Sequence, residues 1–123
     1  MAGLDASLKE MMAIDGAIGA VVVDHNSGMA LGALGGDKDL DLQIAAAGNT
    51  EVVKAKLRTM DALQLKDHIE DILITLGSQY HVIRPLSGRA GQGLFLYVAL
   101  DRSRANLALA RHRLKQIEER LEI

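Results

Sequence analysis

The chain has 123 residues, 49% of them hydrophobic, with three aromatic side chains and no cysteine. That is the size of one domain with a core of its own, and it excludes a disordered chain, a disulfide framework and thiolate chemistry. Net charge is −2, spread as −5 over residues 1–50, +1 over 51–100 and +2 over 101–123; with few rings to stack on and no basic excess, nucleic acid is a poor partner.

In chain order, Leu4, Leu8, Met11 and Met12 fall on one helical face, and Asp15-Gly16 closes that helix. "AIGAVVVD" (17–24) is apolar on both alternating faces, as a strand covered on both sides must be. "HNSG" (25–28) is a turn and "MALGALG" (29–35) the return strand. Gly19 and Gly32 inside these strands mark close approach of a covering element, or a bulge. "GDKD" (36–39) is a loop, and a long helix is expected from about 40 to 63. "IEDILITL" (69–76) reads as a strand, "GSQ" as a turn and "YHVIRPL" (80–86) as the next strand. "SGRAGQG" (87–93) reads as a mobile hairpin loop. "LFLYVAL" (94–100), the most apolar strand, is expected at the centre of the sheet. "DRS" then starts the last helix, with Asp101 or Ser103 as N-cap, and Leu107, Ala110, Leu114, Ile117 and Leu121 form its apolar stripe.

The expected architecture is one α/β (α+β) domain over 1–123. Its order is helix-strand-strand-helix-strand-strand-strand-helix, with helices on both faces of one five-stranded, mainly antiparallel sheet. No apolar run approaches the roughly 20 residues of a membrane span. The start lacks the basic and apolar regions of a signal peptide, so a cytoplasmic location is expected.

The long helix resolves into three faces at 100° per residue. Leu42, Ala46, Asn49, Val53, Leu57 and Met60 form the stripe expected against the sheet; Asn49 is its one polar member and needs hydrogen-bond partners there. Ala45, Gly48, Val52, Ala55, Thr59 and Ala62 are all small or β-branched, a surface that lets two helix axes come close. With the first and last helices assigned to the other sheet face, this row is free for a second copy of the same helix. Gln43, Thr50, Glu51, Lys54, Arg58 and Asp61 form the polar face. "IEDILITL" carries no proline or lysine to blunt an edge. Pairing with its own copy through Ile69, Asp71 and Leu73 would put strand edge and helix row on one two-fold surface.

Chemistry-bearing motifs are scarce. There is no G-x-x-x-x-G-K-[ST], H-E-x-x-H or G-x-S-x-G. "DKDLD" (37–41) begins like a calcium loop, but Leu42 stands where glycine is needed and Gly48 where a bidentate glutamate is needed. An acid-rich helix start accounts for it. The glycines of "SGRAGQG" join strand to strand, so no helix N-terminus receives an anion. His25, His68, His81 and His112 show no metal-ligand spacing and read as structural. Arg102, Arg104, Arg111, Arg113 and Lys115 make the last helix basic, read as a solvated face, with an acidic partner as the minority option. Neither a catalytic residue nor a cofactor or metal site is assigned.

With "GAIGAVVVDHNSGMALGALG" near the start and "LFLYVALDRSRANLALARHRL" near the end, the chain resembles the roadblock / dynein light-chain family over nearly its whole length. The matching features are Val23-Asp24, Gly28, Met29–Gly35, Asp101 and "ANLAL" (105–109), and the Ala-rich long helix is most similar to small actinobacterial members. The resemblance implies a homodimer in which the third strands pair and the central helices lie antiparallel across the joined sheet. It also implies a non-enzymatic regulator or scaffold for a small Ras-like GTPase, in a bacterial signalling assembly that can include a sensor-kinase-like protein and be recruited to the membrane through partners. The GTPase would dock on the helix side, at Glu51, Lys54 and Arg58. Two alternatives stand beside this reading: a profilin-like small-ligand sensor, which needs a pocket with convergent polar groups, and a purely structural dimerisation module.

Overall fold

The computed structural model describes residues 3–86 and 93–121. Eight elements follow in the expected order: α1 (Leu4–Met12), β1 (Ala17–Asp24), β2 (Ala30–Gly35), α2 (Leu42–Ala62), β3 (Ile72–Thr75), β4 (Gln79–Pro85), β5 (Leu94–Asp101) and α3 (Leu107–Arg120). They build one five-stranded sheet, β2-β1-β5-β4-β3, with every neighbouring pair antiparallel. The apolar strand β5 lies at its centre, as its composition requires. The expected loop 87–93 lies outside the described residues, apart from Gly93.

Alternating side chains divide the sheet into two cores. On one face Ala20, Val22, Val82, Leu96, Val98 and Leu100 pack against Leu8 and Met11 of α1 and Ala110, Leu114 and Ile117 of α3. On the other face Val21, Val23, Ile83, Phe95, Tyr97 and Ala99 pack against Leu42, Ala46 and Val53 of α2. The first and last helices therefore share one face and α2 has the other to itself.

At two strand glycines a covering helix comes close. A Cβ at Gly32 would lie 2.8 Å from Leu8 Cδ1 of α1, and one at Gly19 would lie 2.9 Å from Leu42 Cδ2 of α2. Gly16 follows α1 with φ +86°, a conformation open to glycine without the penalty a Cβ brings, and a Cβ there would also meet the Ala105 backbone.

Three local expectations are corrected. α3 starts at Leu107, later than "DRS" predicts: Asp101 accepts hydrogen bonds from the Ser103 N–H and hydroxyl and so closes a turn, and the Asn106 side chain caps the helix through the Leu109 N–H. An aspartate two residues before a serine satisfies a turn as well as a helix start. Strand β3 spans only Ile72–Thr75, so Ile69 and Asp71 precede it. On α2 the buried positions are Leu42, Ala46, Thr50, Val53 and Met60. Thr50, expected on the polar face, is buried beneath the β1–β2 turn, where a Cβ on Gly28 would lie 3.6 Å from its hydroxyl, and its hydroxyl donates to the Ala46 carbonyl at 2.7 Å. Leu57, expected against the sheet, is exposed, and Asn49 is only half-buried.

Candidate functional site

The N-terminus of α2 is fixed by Asp41, whose carboxylate accepts from the Gln43 and Ile44 N–H groups at 2.9 and 3.2 Å. This satisfies two of the orphan donors of the first turn. Asp37 similarly accepts from Asp39 and Leu40 in the preceding loop. The "DKDLD" stretch is thus a loop clamp followed by a cap. No group of side chains suited to hold a metal ion occurs among the described residues.

Five strands spaced at about 4.8 Å make a sheet roughly twice as wide as one helix with its side chains. One helix therefore leaves part of its face open. α2 lies over β1 and β2, and the open part falls over β4 and β3, floored by His81, Ile72 and Ile74. The first members of the small row of α2 border that opening. Ala45 and Gly48 line a cleft of about 390 Å³ together with Lys38, Asp39, Leu40, Asp41, Ile44, Asn49, His81 and Tyr97. A Cβ on Gly48 would meet nothing within 4 Å. Further along, Val52, Ala55 and Thr59 are exposed, with the Thr59 hydroxyl satisfied by the Ala55 carbonyl at 2.9 Å.

Strand β3 borders the same opening and is the last strand of the sheet on that side. The Leu76 N–H donates to the Gln79 carbonyl at 2.8 Å, and the register pairs Ile72 with Ile83 and Ile74 with His81. Because bonded and non-bonded pairs alternate in an antiparallel ladder, Leu73 and Thr75 direct their backbone N–H and C=O groups away from β4, towards the edge. The Leu73 side chain is exposed. The other residues expected at this edge sit differently. Ile69 is half-buried in the segment before β3. Asp71 turns to the opposite face of the sheet, where both its oxygens are held by Arg111 of α3 at 2.6 and 2.9 Å. Glu51, Lys54 and Arg58 follow one another at steps of three and four along the outer side of α2; Glu51 and Arg58 are exposed and Lys54 is half-buried.

Asn49 lines the cleft together with His81 and Tyr97. The Tyr97 hydroxyl lies 3.2 Å from His81 Nδ1, and His81 Nε2 lies 2.8 Å from Gln79 Oε1. The His81 and Tyr97 rings meet edge to face, centroids 5.4 Å apart. Burial pushes the Tyr97 hydroxyl up to about 12, with the nearby Asn49 amide opposing it, and burial lowers His81 below its ordinary value. These polar groups are turned on one another rather than towards a ligand. Spacing could not reveal this grouping, because its members come from α2, β4 and β5.

The basic last helix is largely spent inside the fold. Arg111 holds Asp71, Arg120 pairs with Glu10 of α1, and Glu118 pairs with Arg84 of β4 at 2.6 Å. Arg102 donates to the Leu76 carbonyl at 2.7 Å and lies 5.0 Å from the Tyr80 ring centroid. Asp101 is held below the usual carboxylate range by its hydrogen bonds from Ser103, with Arg104 adding to the effect.

A long helix alone on one face of this β2-β1-β5-β4-β3 antiparallel sheet, with two helices on the other face, defines the roadblock/LC7 fold. A Roadblock/LC7 domain from Streptomyces avermitilis superposes with a TM-score of 0.79 at 16% identity, covering 96% of this chain and 93% of that one. MglB from Myxococcus xanthus superposes with a TM-score of 0.72 at 18% identity over 92% and 77% of the two chains. The gliding protein mglB from Thermus thermophilus does so with a TM-score of 0.76, also at 18% identity, over 92% and 81%. At these identities the likeness is one of fold. Neither a family model nor a curated protein matches the sequence. Among the described residues no helix is long and apolar enough to cross a membrane.

Proposed function

We propose that this protein is a homodimeric, non-enzymatic scaffold or regulator of a small Ras-like GTPase, working in the cytoplasm and reaching the membrane through its partners. One observation carries the reading: Ala45 and Gly48 of the small row line a cleft on the sheet side of α2, Val52, Ala55 and Thr59 continue that row exposed, and the backbone of β3 faces outward. A second α2 lying antiparallel along the row would cover the open sheet, and a second β3 would pair the free edge, both about one two-fold axis. Glu51, Lys54 and Arg58 would then stand on the outer surface of the helix pair as a charged patch for the GTPase. Support comes also from a structural neighbour described as MglB with tetrameric arrangement, with a TM-score of 0.76 at 18% identity.

The test is a pull-down from native lysate with GDP or a GTP analogue added, followed by titration of the captured GTPase. The Lys54→Glu/Arg58→Glu variant is expected to weaken binding at least about tenfold, the factor that 1.4 kcal/mol represents. Unchanged affinity removes these residues from the interface. Monomer by sedimentation at every accessible concentration removes the dimer.

A further inference from the structure

Strand β3 is tied to the rest of the fold at few points. The Leu65 N–H donates to the Met60 carbonyl at 2.9 Å, and beyond it the chain runs exposed through 66–68. From Lys66 to Asp71 no backbone group bonds to another element among the described residues; the His68 N–H is taken up by its neighbour Asp67. β3 itself has four residues and one partner strand. The polar tie that remains is Asp71, the residue directly before β3. Its two oxygens accept from Nε and Nη2 of one guanidinium, that of Arg111 on α3, at 2.6 and 2.9 Å. This two-pronged contact is the strong form of an ion pair. Its partners are unequally placed, with the Asp71 side chain 10% exposed and that of Arg111 48%.

We propose that Arg111 is a positioning residue for self-association: through Asp71 it anchors the start of β3 and holds that edge in place for a second copy. Without Arg111 the Asp71 carboxylate is left nearly buried and unpaired, a strongly unfavourable state, so the carboxylate has to move out to water. The other cations lining the same cleft of about 180 Å³ are poor substitutes. Arg84 is engaged by Glu118 at 2.6 Å, and Lys115 offers a point charge where Arg111 offers a fork. Glu70 on the rim adds a like charge. Moving Asp71 outward turns the chain just ahead of Ile72. Side chains alternate along a strand, and Ile72 and Ile74 pack on the opposite, α2-side core. A turn at Asp71 therefore draws Ile72 off that core and opens a short ladder at its first rung, Ile72 with Ile83. Leu73, whose backbone faces outward, is the next residue. The edge that a second copy must meet is thus set by α3 from the other face of the sheet.

The anchoring of β3 stands on the single chain; its effect on self-association rests on the dimer reading above. The experiment separates the two. Hydrogen exchange is read by mass spectrometry at dilutions where the parent is monomeric. In Arg111→Gln the peptide 66–76 should exchange at least about tenfold faster than in the parent, as a locally opened segment does, while the peptide 94–101 of β5 keeps its protection. By sedimentation the dimer dissociation constant of this variant should rise at least about tenfold. Arg111→Lys, which keeps the charge and loses the fork, should fall between the two. Arg120→Gln breaks the exposed pair that the same helix makes with Glu10 and should change neither reading. In the Arg111→Gln background, Asp71→Asn should largely restore both, since a neutral amide needs no cation. Parent-like exchange over 66–76 in Arg111→Gln overturns the anchor, as does an equal loss of protection over 94–101. Faster exchange beside an unchanged dissociation constant overturns its role in association. A chain that is monomeric at every concentration overturns the dimer reading, and exchange alone then decides the anchor.

Discussion

Asn49 and Thr50 show where reading along the helix stops. The wheel places Asn49 on the driest stripe and Thr50 on the polar face. The burial is the reverse, because the β1–β2 turn sits over Thr50 and the open cleft begins beside Asn49. Neither cause lies within the helix. Arg84 was equally hidden, a lone arginine in an apolar strand pattern. It sits with its side chain 13% exposed against the Glu118 side chain at 12%, and such a pair is costly to break from one side. Arg84→Met, which keeps the apolar stem volume, should lower stability by about 3 kcal/mol, since it strips a guanidinium from a nearly buried carboxylate. Urea denaturation at pH 7 reads this directly. A loss under about 1 kcal/mol would place the pair with surface ion pairs, where Arg104–Asp101 belongs.

At the scale of elements, most boundaries are legible, because each rests on a local device: Asp15-Gly16 after α1, the Asp24–Gly28 turn, the Asp41 cap. The start of α3 misleads because Asp101, Ser103 and Asn106 are all competent caps, and only packing decides between them. Gly48 is the informative residue of α2. Inside an exposed stretch of helix, glycine costs roughly 1 kcal/mol relative to alanine, and in the single chain nothing occupies the space of a Cβ. Gly48→Ala should thus stabilise the isolated chain by about 1 kcal/mol, measured by denaturant titration at concentrations where the chain is monomeric. Gly48→Leu should give monomer or aggregate by light scattering, since its side chain would force the two seam helices apart. Gly32→Ala behaves oppositely to Gly48→Ala: its methyl meets Leu8 and Leu4 of α1, and it should lower stability. Should Gly48→Leu leave a dimer intact, the helix row is not the seam.

For the molecule as a whole, the open question is how it manages its two sheet edges. The β2 edge has a register irregularity opposite Val22/Val23, with Leu31 left out of the pairing, and such a bulge spoils an edge for further pairing. The β3 edge has no such bulge. It is short, and it borders the uncovered half of the α2 face. Its sequence announced a strand without blunting residues. Its true length and the capture of Asp71 by Arg111 were not announced, since both depend on α3 packing beneath it. Proline at position 73 tests the edge with little effect on the fold. The Leu73 N–H is not needed by β4, and proline is tolerated on an edge strand where the missing donor faces outward. The preceding Ile72 is already extended, as proline demands of its neighbour. Leu73→Pro is therefore expected to keep the far-UV circular dichroism of the parent while sedimenting as a monomer at concentrations where the parent is a dimer. Leu73→Ala, which keeps the N–H and loses only the side chain, should remain dimeric. If both variants dimerise like the parent, the two-fold contact lies in α2 alone and the free edge is solvated.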